Sequence, residues 1–176
     1  MIKAKYLPTY TAHSFYEIPS SFYLEQGLKN ILLDLDNTLA PYKEKEPSEE
    51  TKAWVSSLQK EGLHLYIASN NTSKRVTRYA KLLGVKALSG LLKPFAFRLK
   101  RILKEQGFVK NETVLIGDQI MTDVVSANHS GIRSILTDPL SPKEPWVTKW
   151  NRLFDTPKRK KMMKGHLVPS WKEKKE

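Results

Sequence analysis

Between residues 30 and 137 the chain alternates short apolar runs with segments of helical period, joined by links of only a few residues. The run Ile31-Leu32-Leu33-Asp34-Leu35-Asp36 has strand length, and Leu63 to Ala68, Val85 to Leu88, Thr113 to Ile116 and Ile132 to Leu136 follow it at intervals. A strand that is apolar along its length, instead of alternating, is expected to be buried on both faces. The segments between are helical. One opens at Ser48 with Glu49 and Glu50 behind it, turns Trp54, Val55 and Leu58 inward and ends at Gly62. Another begins near Thr72, carries Val76, Tyr79, Ala80 and Leu83 as its inner stripe and closes at Gly84. Pro94 to Gln106 and Thr122 to Ser130 repeat the design, stopped by Gly107 and Gly131. Short links between strand and helix call for parallel crossovers. The pattern therefore predicts an α/β fold: a mainly parallel five-stranded sheet with helices on both faces, binding ligands beyond the carboxyl ends of its strands.

A length of 176 residues leaves room for one core of this kind. Residues 30–155 are expected to form it. Residues 1–29, rich in aromatics (Tyr6, Tyr10, Phe15, Tyr16, Phe22, Tyr23) but without clean periodicity, are expected to be an arm packed on that core, and residues 156–176 a basic tail. No apolar run approaches a bilayer's span, and Met1 to Thr11 lacks the apolar stretch of a secretory signal, so a soluble, cytoplasmic protein is expected. The absence of cysteine excludes disulfides, thiolate metal sites and cysteine nucleophiles, and the four histidines show no metal-ligand spacing. The formal charge of +12 is uneven: residues 70–110 hold eleven lysines and arginines against the one acid Glu105. A field of that sign attracts polyanions, whether nucleic acid, an anionic membrane or a phosphorylated substrate, and also suits plain solvated helix faces.

The strand ends carry an unusual set. Asp34, Asp36 and Thr38 follow the first strand, Ser69, Asn70 and Asn71 the second; Lys93 precedes the third helix, and Gly117, Asp118 and Asp123 follow the fourth strand. Carboxylates gathered at one place repel unless a cation sits among them, and hard oxygen donors suit Mg²⁺. Each residue also has a plainer reading. Asp34, Asn37 and Thr38 suit a turn, Ser69 to Asn71 a helix cap, Lys93 a surface and Asp123 a helix N-terminus.

Taken in order, Asp34-Leu35-Asp36-Asn37-Thr38, Ser69, Lys93 and Gly117-Asp118 through Asp123 resemble the four motifs of the haloacid dehalogenase (HAD) superfamily of phosphohydrolases. The resemblance implies the Rossmann-like HAD fold. It implies Asp34 as nucleophile and Asp36 as acid and base, with Mg²⁺ held by Asp34, Asp36 (through its carbonyl), Asp118 and Asp123, the last directly or by orienting Lys93. Thr38, Ser69, Asn70 and Lys93 would bind the substrate phosphate. Only about ten residues separate Thr38 from the helix at Ser48, so no cap domain is expected.

Within the superfamily the chain is most similar to compact subgroup IIIA proteins of the YqeG type, relatives of mitochondrial phosphatidylglycerophosphate phosphatases. Leu7-Pro8 in the arm, Ser69-Asn70-Asn71, Lys93-Pro94 and Ala127-Asn128 carry that similarity. It implies a lipid phosphate monoester as substrate, in phosphatidylglycerol synthesis, and peripheral contact with the inner face of an anionic membrane. Trp146, Trp150 and the aromatic arm are candidates for that contact, with core packing the other reading. The alternatives are a HAD phosphatase for a phosphoprotein, a nucleic-acid end or a soluble ester, and a nucleic-acid-binding protein on this fold.

Overall fold

The computed structural model describes residues 2–42, 44–141 and 146–173, with the side chains of 146–152 excepted. In β2 (Asn30–Leu33) all four residues are buried, as a strand flanked on both sides must be. It pairs in parallel with β3 (His64–Ala68) on one side and β5 (Thr113–Gly117) on the other, with Leu33 opposite both Ile67 and Ile116. Beyond these lie β4 (Lys86–Leu88) and β6 (Arg133–Leu136). The order is β1-β6-β5-β2-β3-β4.

The sheet has six strands where five are expected. The extra one, β1 (Tyr10–Thr11), lies in the aromatic arm and pairs in parallel with β6. Two residues cannot display an alternation or an apolar run, so the pairing is set by the edge of β6 and is invisible in local pattern.

Alternate residues of β2 enter two different cores, the consequence of a period of two. Ile31 and Leu33 pack with Trp54, Val55 and Leu58 of α2 (Glu49–Lys60) and with Val76, Tyr79 and Leu83 of α3 (Lys74–Leu83). Leu32 faces the other way, onto Leu99 and Leu103 of α4 (Ala96–Glu105) and Ala127 of α5 (Val125–Ser130). Helix α2 is capped by Ser48, whose Oγ accepts from the Thr51 backbone N–H. Helix α3 ends on Gly84 at φ 65°, a left-handed cap that glycine takes without steric penalty.

From Tyr10 to Tyr23 the arm is core, not interface. Tyr10, Phe15, Ile18, Phe22 and Tyr23 are buried with α2, and Phe15 meets Trp54 edge-on at 4.8 Å, which removes those rings from any membrane role. Phe22 and Tyr23 sit on the short helix α1 (Ser20–Glu25). Helix α6 (Trp146–Lys164) follows β6, and residue 156, where a tail is expected to start, falls inside it. Its Met162 is buried with Ile120, Val124 and Leu136. The side chains of Trp146 and Trp150 lie outside the described residues. No helix among the described residues is long and apolar enough to cross a membrane, and the described part of the Thr38–Ser48 link carries no inserted domain.

Candidate active site

From β2 the chain proceeds to β3 and β4 on one side, then crosses to β5 and β6 on the other. The crevice beyond the carboxyl ends of β2 and β5 is therefore the place where strand order reverses, the favoured ligand site of such sheets. Asp34 leaves β2 at this point with its backbone N–H still bonded to Ile116 O at 2.9 Å, and Asp118 leaves β5 beside it.

After Asp34 the chain turns tightly. Leu39 and Ala40 N–H groups both donate to Leu35 O, and Asn37 holds φ 63°. Asparagine is among the few residues with a side chain that accept this left-handed conformation, so the turn accounts for Asn37. Thr38, next in line, donates its hydroxyl to Asp118 Oδ1 at 3.2 Å.

Lys93 occupies the centre. Its Nζ donates to Asp34 Oδ1 at 2.6 Å, Asp123 Oδ1 at 2.7 Å and Ala68 O at 2.9 Å, with all four residues buried. Three acceptors match the three protons of an ammonium group. Burial alone would push the Lys93 ammonium down, but the Asp123 and Asp34 carboxylates reverse this and hold it above its ordinary value. Burial pushes the Asp34 carboxyl well above its usual range; Lys93 pulls it back, while Asp123 and Asp118 push it further.

Asn70 holds the Lys93 backbone at both ends. Its Oδ1 accepts from the Lys93 N–H at 2.7 Å and its Nδ2 donates to Lys93 O at 3.0 Å. Asn70 thus supports Lys93 from beside the site, and its Nδ2 keeps a second proton. Ser69, also buried, accepts from the Asn71 N–H at 3.1 Å and can still donate its own proton.

Asp123 is engaged on both oxygens, since its Oδ2 accepts from the Gln119 N–H at 3.2 Å. Its carboxylate also explains Gly117: a Cβ there would lie 2.3 Å from Asp123 Cγ and 2.4 Å from Oδ2. Gly117→Ala should therefore displace Asp123 and destabilise the fold by about 1–3 kcal/mol, the usual penalty of overpacking. Urea denaturation measures it directly.

Asp36 stands outside the carboxylate cluster. Its Oδ1 accepts from Arg75 Nη1 at 2.6 Å, and the same guanidinium reaches Glu44 O and Pro41 O. Arg75 is thus the residue that fixes Asp36 and the loop behind it, a role not predicted from sequence. With Asp36 as the acid and base that the resemblance implies, Arg75→Met should lower the turnover number on the order of tenfold to a hundredfold, as misplacement of a reacting group does. KM for a soluble monoester should change little, and steady-state kinetics separate the two.

Two further residues brace the Asp118–Asp123 loop from α6. Buried Asp155 accepts from the Ile120 and Met121 N–H groups at 2.9 and 3.0 Å, and Arg159 donates to Asp118 O at 2.9 Å and Thr137 O at 2.8 Å.

Asp34, Asp118 and Asp123 offer oxygens within 4.8 Å of one another. Three carboxylates against one ammonium leave two negative charges in excess, so the donor set fits a hard divalent cation.

Comparison with known proteins identifies the family. A family model described as mitochondrial PGP phosphatase matches residues 2–141. Probable phosphatase YqeG of Bacillus subtilis is 29% identical over 178 residues, covering 98% of this chain and 100% of that protein. Phosphatidylglycerophosphate phosphatase 1, chloroplastic/mitochondrial, of Arabidopsis thaliana is 29% identical over 161 residues, covering 82% of this chain but 44% of the plant protein. Among solved structures, an uncharacterized protein from Listeria monocytogenes serotype 4b superposes with a TM-score of 0.53 at 16% identity, over 67% of this chain and 85% of that one. The cobalt-bound deoxy-D-mannose-octulosonate 8-phosphate phosphatase of Haemophilus influenzae gives 0.51 at 14% identity, over 73% of this chain and 87% of that one. The structural likenesses speak for the fold, and the family match takes in both strand ends that carry the acidic cluster: the chain belongs to the mitochondrial PGP phosphatase family and is a phosphatase of the HAD type.

Proposed function

We propose that the chain hydrolyses a phosphate monoester through transfer of the phosphoryl group to Asp34, with Mg²⁺ as cofactor and phosphatidylglycerophosphate as substrate. The observation that carries this reading is the buried Lys93 bridging Asp34 and Asp123 at the strand-order switch, with Asp36 two residues beyond the nucleophile. An Asp34 oxygen attacks phosphorus in line, a P–O bond forms, and the bond from phosphorus to the alcohol oxygen breaks. Asp36 gives its proton to that departing oxygen. It then takes a proton from water, whose oxygen attacks phosphorus and releases inorganic phosphate with the Asp34 carboxylate restored.

Lys93, by giving up its bond to Asp34 as that carboxylate takes the phosphoryl group, and the Ser69 hydroxyl would meet the phosphoryl oxygens, while Thr38 and Asn70 would act one step back, on Asp118 and Lys93. A divalent cation held by Asp34, Asp118 and the Asp36 carbonyl would supply the charge that keeps Asp34 ionised and neutralises the phosphate. Asp123 orients Lys93 through Oδ1 and, as the third carboxylate of the cluster, would support the cation directly or through water.

The lipid rests on charge and access. Without an inserted domain the site admits a bulky or surface-borne substrate. Lys45, Lys74, Arg75 and Arg78 line a surface cavity of about 410 Å³, and since Arg75 also pairs with Asp36, this cationic cluster would suit the second phosphate of such a lipid. Lysines and arginines near an anionic bilayer each contribute about 1 kcal/mol to peripheral attachment. Divalent-dependent phosphate release from phosphatidylglycerophosphate in mixed micelles, beside a soluble monoester, tests both halves. Turnover of the lipid is the expected result; turnover of the soluble ester alone would discard the lipid, and silence on both would discard the enzyme reading.

A further inference from the structure

Helix α4 begins immediately after the active-site lysine and its proline, and there two phenylalanines face outward: Phe95 is 66% exposed and Phe97 60%. Leu92, just before Lys93, is also exposed. Soluble chains seldom leave contiguous large apolar side chains in water unless something covers them. Phe97, Lys100, Arg101 and Lys104 follow one another at helical spacing along the outer side of α4; Arg101 is paired with Glu105, while Lys100 and Lys104 stand exposed.

Phe95 and Phe97 form the lip of a groove of about 510 Å³, lined also by Lys5, Lys100, Met121 and Val125. Met121 belongs to the loop that joins Asp118 to Asp123 and Pro94 follows Lys93, so the groove is bordered by the two segments that carry the buried site. Tyr6 continues it toward α6, where the Lys158 ammonium sits 5.0 Å over the Tyr6 ring and extends the positive rim. Apolar rings surrounded by unopposed lysines are the chemistry of attachment to an anionic lipid surface: the rings enter the acyl boundary and the ammonium groups meet the phosphates.

We propose that the Phe95–Phe97 face docks the protein onto an anionic bilayer, holding the carboxylate cluster at the head-group level. This deepens the lipid reading of the site and rests on it for its purpose, but not for its test. Co-sedimentation of the full chain with vesicles of phosphatidylglycerol and phosphatidylcholine in equal amounts involves no turnover. The wild type should sediment with these at low salt and stay in solution with phosphatidylcholine alone. Replacing Phe95 and Phe97 together by serine should weaken partitioning roughly tenfold per ring removed, and Lys100→Glu should weaken it further in a salt-sensitive way. Both rings are exposed and Phe95 is the N-cap of α4, where serine is favoured, so an unchanged thermal melt is expected for the double variant.

Wild-type protein that ignores the anionic vesicles overturns the proposal, as does a double variant that binds them equally well. So does tighter binding of a single-stranded RNA, lost in the same variant, which would make the face a stacking platform. Vesicle binding without hydrolysis of the lipid would count against the function and leave the docking face standing. Hydrolysis in micelles without vesicle binding would do the reverse.

Discussion

Lys93→Ala should destabilise the fold by roughly 3–5 kcal/mol at neutral pH, the usual consequence of removing one partner from a buried ion pair. The reason is local and strong. The ammonium is almost wholly excluded from solvent between Asp34 and Asp123, and without it three buried carboxylates face one another. Because the folded-state pKa of Lys93 is raised above its ordinary value of 10.5, its stabilising contribution is fully present below that pH. It is lost only as pH rises through the folded pKa, so a measurement near pH 7 reads all of it. For a chain of this length such a loss lowers the melting temperature by about 10 °C. A variant that melts within about 2 °C of the wild type, on that same scale, would mean that Lys93 does not neutralise the cluster.

Asp34→Asn should lower turnover by about 10⁴-fold or more, the scale seen when a nucleophile is removed. The substitution is nearly isosteric and keeps an oxygen that can accept from Lys93, so KM and fold should be affected far less than kcat. It removes the negative charge that attacks phosphorus. Phosphate release by wild type and variant, at saturating substrate and divalent cation, gives the ratio. A variant retaining even a tenth of wild-type activity, a deficit of about 1.4 kcal/mol, would assign the chemistry to another group.

Much of this site is legible in the sequence because its parts sit at strand ends. A run such as Ile31 to Leu33 has to be buried on both sides, and the residues that follow it have to emerge at the carboxyl edge of the sheet. Asp34 and Asp118 are legible for that reason, Lys93 and Asp123 through the resemblance of the ordered motifs, and the structure brings the four together.

The supports are not legible in the same way. Arg75 lies 39 residues from the Asp36 it holds and looks like one more cation in a basic segment. Asp155 and Arg159 reach the Asp118–Asp123 loop from a helix whose sequence offers only charge and scattered apolar residues. One signal was there: Asp155 is a lone acid ahead of a run of lysines and arginines, and a lone acid in such company often has a fixed partner. The sequence offers Asn70 as a phosphate ligand or a cap, and only the three-dimensional path of the Lys93 backbone adds the support that its amide gives there. The aromatic content of the arm marks it as packed on the core, but its irregular spacing hides which rings complete that core beside α2.

The central claim is that the phosphoryl group passes through Asp34. Rapid acid quenching of the enzyme during turnover, followed by intact-mass and peptide mass measurement, tests it with nothing assumed about the natural substrate, because a soluble monoester serves. The account predicts a species heavier by one phosphoryl group, with the mass on the peptide that contains Asp34, and no such species in Asp34→Asn. Turnover by the wild type with no phosphorylated enzyme under the quench, or with the group on any residue other than Asp34, would contradict it.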